Sequence, residues 1–263
     1  MSRFNKHRDA INALKKIDKD KSKYLIIHYS CESFYDDKSK SSRISAIAVE
    51  SYATKQTKLF SVNSVAEKKS ITDIELNYTQ LERTMLREFN KFVEKNKDMT
   101  WIHWNMRDGS FGFSAIDHRC AVINVKSNEI LDSKKLNLAQ LMTDLYGKSY
   151  VESPHMSNLF TLNKLKNKDF LTGAEEADAF NNSRYSNLEM STSTKIYNFG
   201  KIIDLATDGD LKVKSSRAEI YGNTVEGWYM YFHDMKHGPI IISFINMIFG
   251  AFLGKIFSKI LFN

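Results

Sequence analysis

Lys23 to Tyr29 reads KYLIIHY, a short apolar run, partly β-branched, that follows the polar connector Asp18 to Lys23. Such a run predicts a buried strand. Arg43 to Tyr52 (RISAIAVESY) sets Ile44, Ala46 and Ala48 against Ser45, Ile47 and Val49 and predicts a second strand. Gln56 to Val62 (QTKLFSV) predicts a third. Three strands this close, joined by short polar links, make an antiparallel meander. His28 alternates with apolar residues in the first strand, which points to a satisfied core histidine.

Working outward, Leu81, Met85, Leu86, Phe89, Phe92 and Val93 fall at helical spacing, with Glu82, Arg83, Lys91 and Lys95 opposite. Met99 to Trp104 (MTWIHW) predicts another buried strand, with Trp101 and Trp104 as core and rim of one sheet. Helices are predicted over Phe113 to Val122, over Asn137 to Tyr146 with a stop at Gly147, and over Ser157 to Lys166 capped by Ser157. Thr172-Gly-Ala-Glu175 has capping-box spacing, so a helix should begin there. A last body helix runs from about Met190 to Ala206, followed by Gly209. Residues 3 to 17 predict a short basic helix, either docked on the domain or lying on an anionic surface. Asp210 to Glu226 is polar and reads as a linker. Strands followed by alternating helices give an α/β class with a mixed sheet.

The order resembles the ribonuclease H-like fold, and more narrowly the DnaQ-type 3′–5′ exonucleases, over roughly residues 23 to 206. That family ends its first strand in Asp-x-Glu-Thr, where this chain has Ser30-Cys31-Glu32-Ser33. It has a His-Asn corner with a nearby Asp, matched by His103-Trp104-Asn105. It carries His-x-Ala-x-x-Asp-Ala on a late helix, matched by Gly173-Ala174-Glu175-Glu176-Ala177-Asp178-Ala179. The resemblance implies four carboxylates holding two divalent metals that activate water. Here Ser30 stands at the first acid, Glu32 matches, and the second acid falls near Phe111-Gly112-Phe113. The catalytic His would be Gly173 or Ala174, and Asp178 matches the last acid. The domain thus reads as degenerate, with no catalytic or metal-ligating set. An active exonuclease using Mg²⁺ or Mn²⁺ would have to rely on Glu32, Asp178 and Asp108 or Asp117. Asp117-His118-Arg119-Cys120 holds reactive residue types, but on a helix its neighbours point different ways. There is no Walker loop, GxGxxG or CxxC zinc pattern.

Pro239 to Phe262 (PIIISFINMIFGAFLGKIFSKILF) is the most apolar stretch. Gly238 to Gly254 is uncharged, with Ser243 and Asn246 as its polar side chains. These about 17 residues make ~25 Å of helix, against a bilayer core of about 30 Å. Snorkelling Lys255 and Lys259 could extend it, so the expectation is a transmembrane helix over 238–263. Trp228, Tyr229 and Tyr231, with Lys236, Lys255 and Lys259, would sit at the membrane interface. Asn246, Gly250 and Gly254 would serve helix association through a GxxxG spacing. The expected division is a basic helix (1–22), a ribonuclease H-like domain (23–208), a linker and aromatic interface segment (209–237) and the membrane helix.

The 263 residues carry a net charge of +7, which favours anionic partners: lipid headgroups or nucleic acid. Cys31 and Cys120 are too few for a disulfide framework and suit a reducing compartment. The start has no apolar signal-peptide core. The expected placement is therefore single-pass in a bacterial inner membrane, with the bulk cytoplasmic. In outline this resembles the transmembrane effectors of phage-defence systems such as retrons. That implies an inactive nuclease-like domain, held by a regulatory protein or nucleic acid, governing a helix that perturbs the membrane. The rival expectations are a tail-anchored exonuclease and a binding module whose C-terminus docks in an oligomer core.

Overall fold

The computed structural model describes residues 2–32, 41–107, 111–234 and 238–261. At its centre is a five-stranded sheet of β1 (Tyr24–Cys31), β2 (Ile44–Ser51), β3 (Thr57–Ser61), β4 (Thr100–His103) and β5 (Lys135–Asn137), in the order β3-β2-β1-β4-β5. β1 pairs antiparallel with β2, opposing Ile27 to Val49 and His28 to Ala48, and β2 pairs antiparallel with β3. β4 runs parallel to β1, and β5 parallel to β4. The meander is therefore as its alternation predicts.

β1 is buried along its whole length because both faces are covered. Its side chains alternate between two cores. Leu25, Ile27 and Tyr29 join Ile47 and Val49 beneath α3 (Ile74–Lys95), which supplies Leu81, Met85 and Phe89. Ile26 joins Ala48 and Ile102 beneath α8 (Tyr185–Asp208), which supplies Ile196, Phe199, Ile202 and Ile203. Ala46 and Ala48 are small, and Gly200 lets α8 come close: a Cβ there would lie 3.0 Å from Glu50 Oε1. Trp101 and Trp104 are both core, on opposite sides of the sheet.

The remaining helices fill in around these layers. α1 (Arg3–Lys19) docks on α5 (Leu138–Tyr146) and α8. α4 (Phe113–Val122) has its expected bounds. α5 is capped by Asn137 and stopped by Gly147 at φ +89°. α7 (Gly173–Asn181) opens with the expected Thr172–Glu175 capping box. α8 ends at Gly209 in the left-handed region.

Several expectations need correction. α2 (Val62–Lys68) follows β3 directly, and its N-cap is Ser61, the last residue of that strand. α6 (His155–Leu162) starts two residues before Ser157, with Pro154 at its N-cap. The polar stretch from Asp210 to Glu226 is not simply a linker. It contains α9 (Arg217–Tyr221), with its own capping box at Ser216 and Glu219, and the start of α10 (Val225–Asp234).

The largest correction concerns α11 (Gly238–Leu261). Among the described residues no helix is long and apolar enough to cross a membrane. The transmembrane helix and the single-pass inner-membrane placement are therefore not supported. The uncharged run is the reason. It is broken by Ser243 and Asn246 and stops at Lys255, some 5 Å short of a bilayer core.

Candidate functional site

β1 ends with Ser30, Cys31 and Glu32, where the DnaQ resemblance puts its first acids. Ser30 shares with His28 the face of the strand that looks toward α8. Its hydroxyl donates to Glu176 Oε1 of α7 at 2.9 Å and lies 2.5 Å from Thr192 Oγ1 of α8. Ser191 Oγ donates to the same Glu176 oxygen at 2.9 Å. The Lys195 ammonium sits 2.7 Å from it, above the ring of Phe170 at 5.2 Å. Ser30, Glu176, Ser191, Thr192 and Lys195 are all buried. One carboxylate oxygen thus takes three donors, one of them a full positive charge.

This is the chemistry of a closed ion pair. A divalent cation would need that same oxygen, together with further hard oxygen ligands. Ser30 offers a neutral hydroxyl. Glu32 is gripped by Arg43, whose Nε donates to Oε2 at 3.2 Å and Nη2 to Oε1 at 3.1 Å. Burial pushes the Glu32 carboxyl up, but the Arg43 hydrogen bonds and charge outweigh it and hold the group below the usual range. Arg43 lies between the rings of Tyr78 and Phe180 at 4.7 and 4.8 Å and reaches Glu75 at 3.2 Å. Asp178 faces outward on α7, 63% exposed, and pairs with Arg184 and Asn182. Asp117 accepts from Ser127. Asp108 lies outside the described residues. Among the described residues no three His, Cys, Asp or Glu side chains are grouped to hold a metal. The donor set does not fit the two-metal centre that the resemblance implies.

Sequence reasoning missed Glu176 and Lys195, although both left a signal. Glu176, Ala179 and Phe180 share the buried face of α7 at i, i+3 and i+4, while Asp178 points away. Lys195 interrupts the apolar stripe of α8 beside Ile196 and Phe199. His28 is buried as expected, between Phe111 and Phe199. It is not fully satisfied, since its Nδ1 has no partner among the described residues. Burial, with Lys195 and His103 adding to it, holds the ring well below its ordinary pKa. The Asp117–Cys120 segment is dispersed. His118 is exposed, Cys120 is buried, and Arg119 forms a bidentate pair with buried Glu82 at 2.8 and 2.5 Å.

The His-Trp-Asn corner closes on the start of α5. Asn105, at φ +52°, accepts from Asn137 Nδ2 at 3.1 Å and donates its own backbone N–H to Asn137 Oδ1 at 3.1 Å. His103 Nδ1 accepts the Met106 N–H at 3.1 Å, so the ring proton is on Nε2. Burial, then Lys135 and Arg107, push its pKa down to about 4. A cleft of about 510 Å³ opens beside it, lined by Arg107, Phe113, Asp117, Lys135 and Asn137. The cleft mixes two cations with Asp117, Glu129 and Asp132, so it has no clear preference for an anion.

The residues expected at a membrane interface are spread along the C-terminal third. Trp228, Tyr229 and Tyr231 lie on α10. The Arg217 guanidinium covers the Trp228 ring at 3.4 Å, and Tyr231 meets Tyr221 edge-on at 5.6 Å. Lys255 is exposed on α11. Lys259 is within α11, and Lys236 lies outside the described residues. Asn246, Gly250 and Gly254 are exposed on one side of α11. No protein-family model and no curated protein matches the chain.

Proposed function

We propose that this chain is the regulatory body of an effector: a DnaQ-type, ribonuclease H-like domain that has exchanged its metal centre for the Glu176–Lys195 pair. The observation that carries this is the Lys195 ammonium, 2.7 Å from the one buried carboxylate beside Ser30. In support, an antiparallel meander of β1 to β3 is followed by α3 and then β4. An ammonium has one charge, no open coordination position and no acidic bound water, so it cannot activate a nucleophile as a divalent ion does. The domain keeps its shape and gives up hydrolysis. What remains available for an output is α11, which displays its apolar side chains to solvent. That arrangement, a silent nuclease-like body beside an exposed apolar element, is the ground for grouping the chain with antiviral effectors. Its action does not require a crossing of the bilayer.

Labelled single-stranded DNA or RNA incubated with the full chain and Mn²⁺ should stay intact. Degradation that disappears in Glu32→Ala would overturn the silent-domain reading and restore the exonuclease. The effector reading is tested separately by challenging cells with phage. Protection should require the chain and be lost in Phe249→Glu, which alters α11 alone.

A further inference from the structure

We infer that α11 is an assembly helix, covered in solution by the α11 helices of at least two further copies of this chain. The inference rests on the surface of α11 and is independent of the regulatory reading above.

The first ground is area. Eight large apolar side chains between Ile240 and Leu253 are 43–70% exposed. At typical side-chain areas this is on the order of 900 Å², comparable to the ~800 Å² that each partner commits to a stable interface. Among the described residues α11 packs mainly against α10, its neighbour in the chain. Scattered exposed apolar residues need no explanation, but a contiguous surface of this size does.

The second ground is how that surface is distributed. At 100° per residue, the large residues from Ile240 to Leu253 cover an arc of about 240°. One neighbouring helix cannot cover more than about half a turn of a helix surface, so a dimer would leave apolar surface wet. Three or more helices in a bundle would not. The remaining arc holds Ser243, Asn246, Gly250 and Gly254. A Cβ placed on Gly250 or Gly254 would meet nothing within 4 Å, so this side is open to a neighbouring backbone. Asn246 has no hydrogen-bond partner among the described residues, and a copy of itself could supply one. From Gly238 to Gly254 there is no charge to repel another copy.

The third ground is the choice of occupant. A helix that lies in a membrane surface needs a broad polar face, which a ~240° apolar arc does not leave. A second copy brings a matching surface at equal concentration and needs no complementary groove elsewhere.

The test uses the full chain without lipid. Sedimentation velocity over a low-micromolar concentration series should give a trimer or larger. Phe249→Glu, which puts a charge in the apolar arc, should reduce it to monomer, with far-UV circular dichroism and thermal unfolding of the body unchanged. Gly250→Leu combined with Gly254→Leu should weaken assembly at least tenfold. If these variants misfold, cysteine cross-linking of Ser243→Cys under mild oxidation gives a second readout. Disulfide-linked dimers are then expected, since Cys31 and Cys120 are buried. A monomer at every concentration with no Ser243→Cys cross-link would overturn the inference. So would an assembly that Phe249→Glu leaves intact, or a monomer that sediments only with phosphatidylglycerol vesicles.

Discussion

Lys195 illustrates why a buried charge is costly to disturb from one side only. Its ammonium and the Glu176 carboxylate have left water together, and each is tolerable because of the other. Lys195→Met strands Glu176 and should destabilise the protein by about 3–5 kcal/mol. Lys195→Met with Glu176→Gln should recover most of that loss, which a double-mutant cycle in urea unfolding would show as strong coupling. Glu50 behaves differently. It is buried at the Gly200 crossing, and burial raises its pKa to about 7, with Lys55 and Lys201 opposing and Asp204 adding. A carboxyl raised above its unfolded value favours the fold at low pH, and that contribution fades as pH rises from about 4.5 through 7. Glu50→Gln should therefore be nearly neutral at pH 5 and stabilising at pH 8, by up to about 3 kcal/mol. Denaturant melts at the two pH values measure this directly. The sequence marked Glu32 and Asp178 as candidate acids, and each proves to have its own arginine. Residue type and motif position were legible, but the α7 face that selects Glu176 over Asp178 appears only once the helix is placed against β1.

At the scale of elements, local chemistry predicts some boundaries and not others. α4, α5, α7 and the end of α8 announce themselves through apolar spacing, Asn137, the Thr172–Glu175 box, Gly147 and Gly209. β5 does not, because Lys135–Asn137 is polar and only half-buried and becomes a strand through its ladder with β4. α9 was hidden by a polar sequence, and α10 by an aromatic run read as a membrane-interface segment. They hold because Arg217 packs on Trp228 and Tyr231, contacts that no period in the sequence encodes. Thr172→Ala removes both halves of the α7 capping box and should cost about 1 kcal/mol. Gly147→Ala should cost more. It forces a Cβ onto a residue at φ +89°, 2.9 Å from the Glu219 carbonyl oxygen. The expected loss is about 1–3 kcal/mol, seen as a lower thermal midpoint with a weakened junction between α5 and α9.

For the whole molecule, the mixed sheet was legible from the meander and the later MTWIHW run. The fate of α11 was not. Apolar content alone suggests a membrane, but length and the position of the first charge decide otherwise. In the assembly proposed above, the residues that make a poor span would serve as an interface between copies, because an interface has no minimum length of about 20 residues. A further consequence lies at the opposite end of the chain. Arg3 donates to the carbonyls of Asp144, Leu145 and Glu219 at 2.6–2.8 Å. His7 meets the Leu145 carbonyl at 2.6 Å and Asp234 at 3.3 Å. These two side chains wait for partners as far as 216 and 227 residues downstream. During translation the opening helix therefore has no complete seat until α9 and α10 have emerged, and closing so long a loop is slow. Because α9 and α10 precede α11 in the chain, the last partners of that clasp are made before the apolar helix.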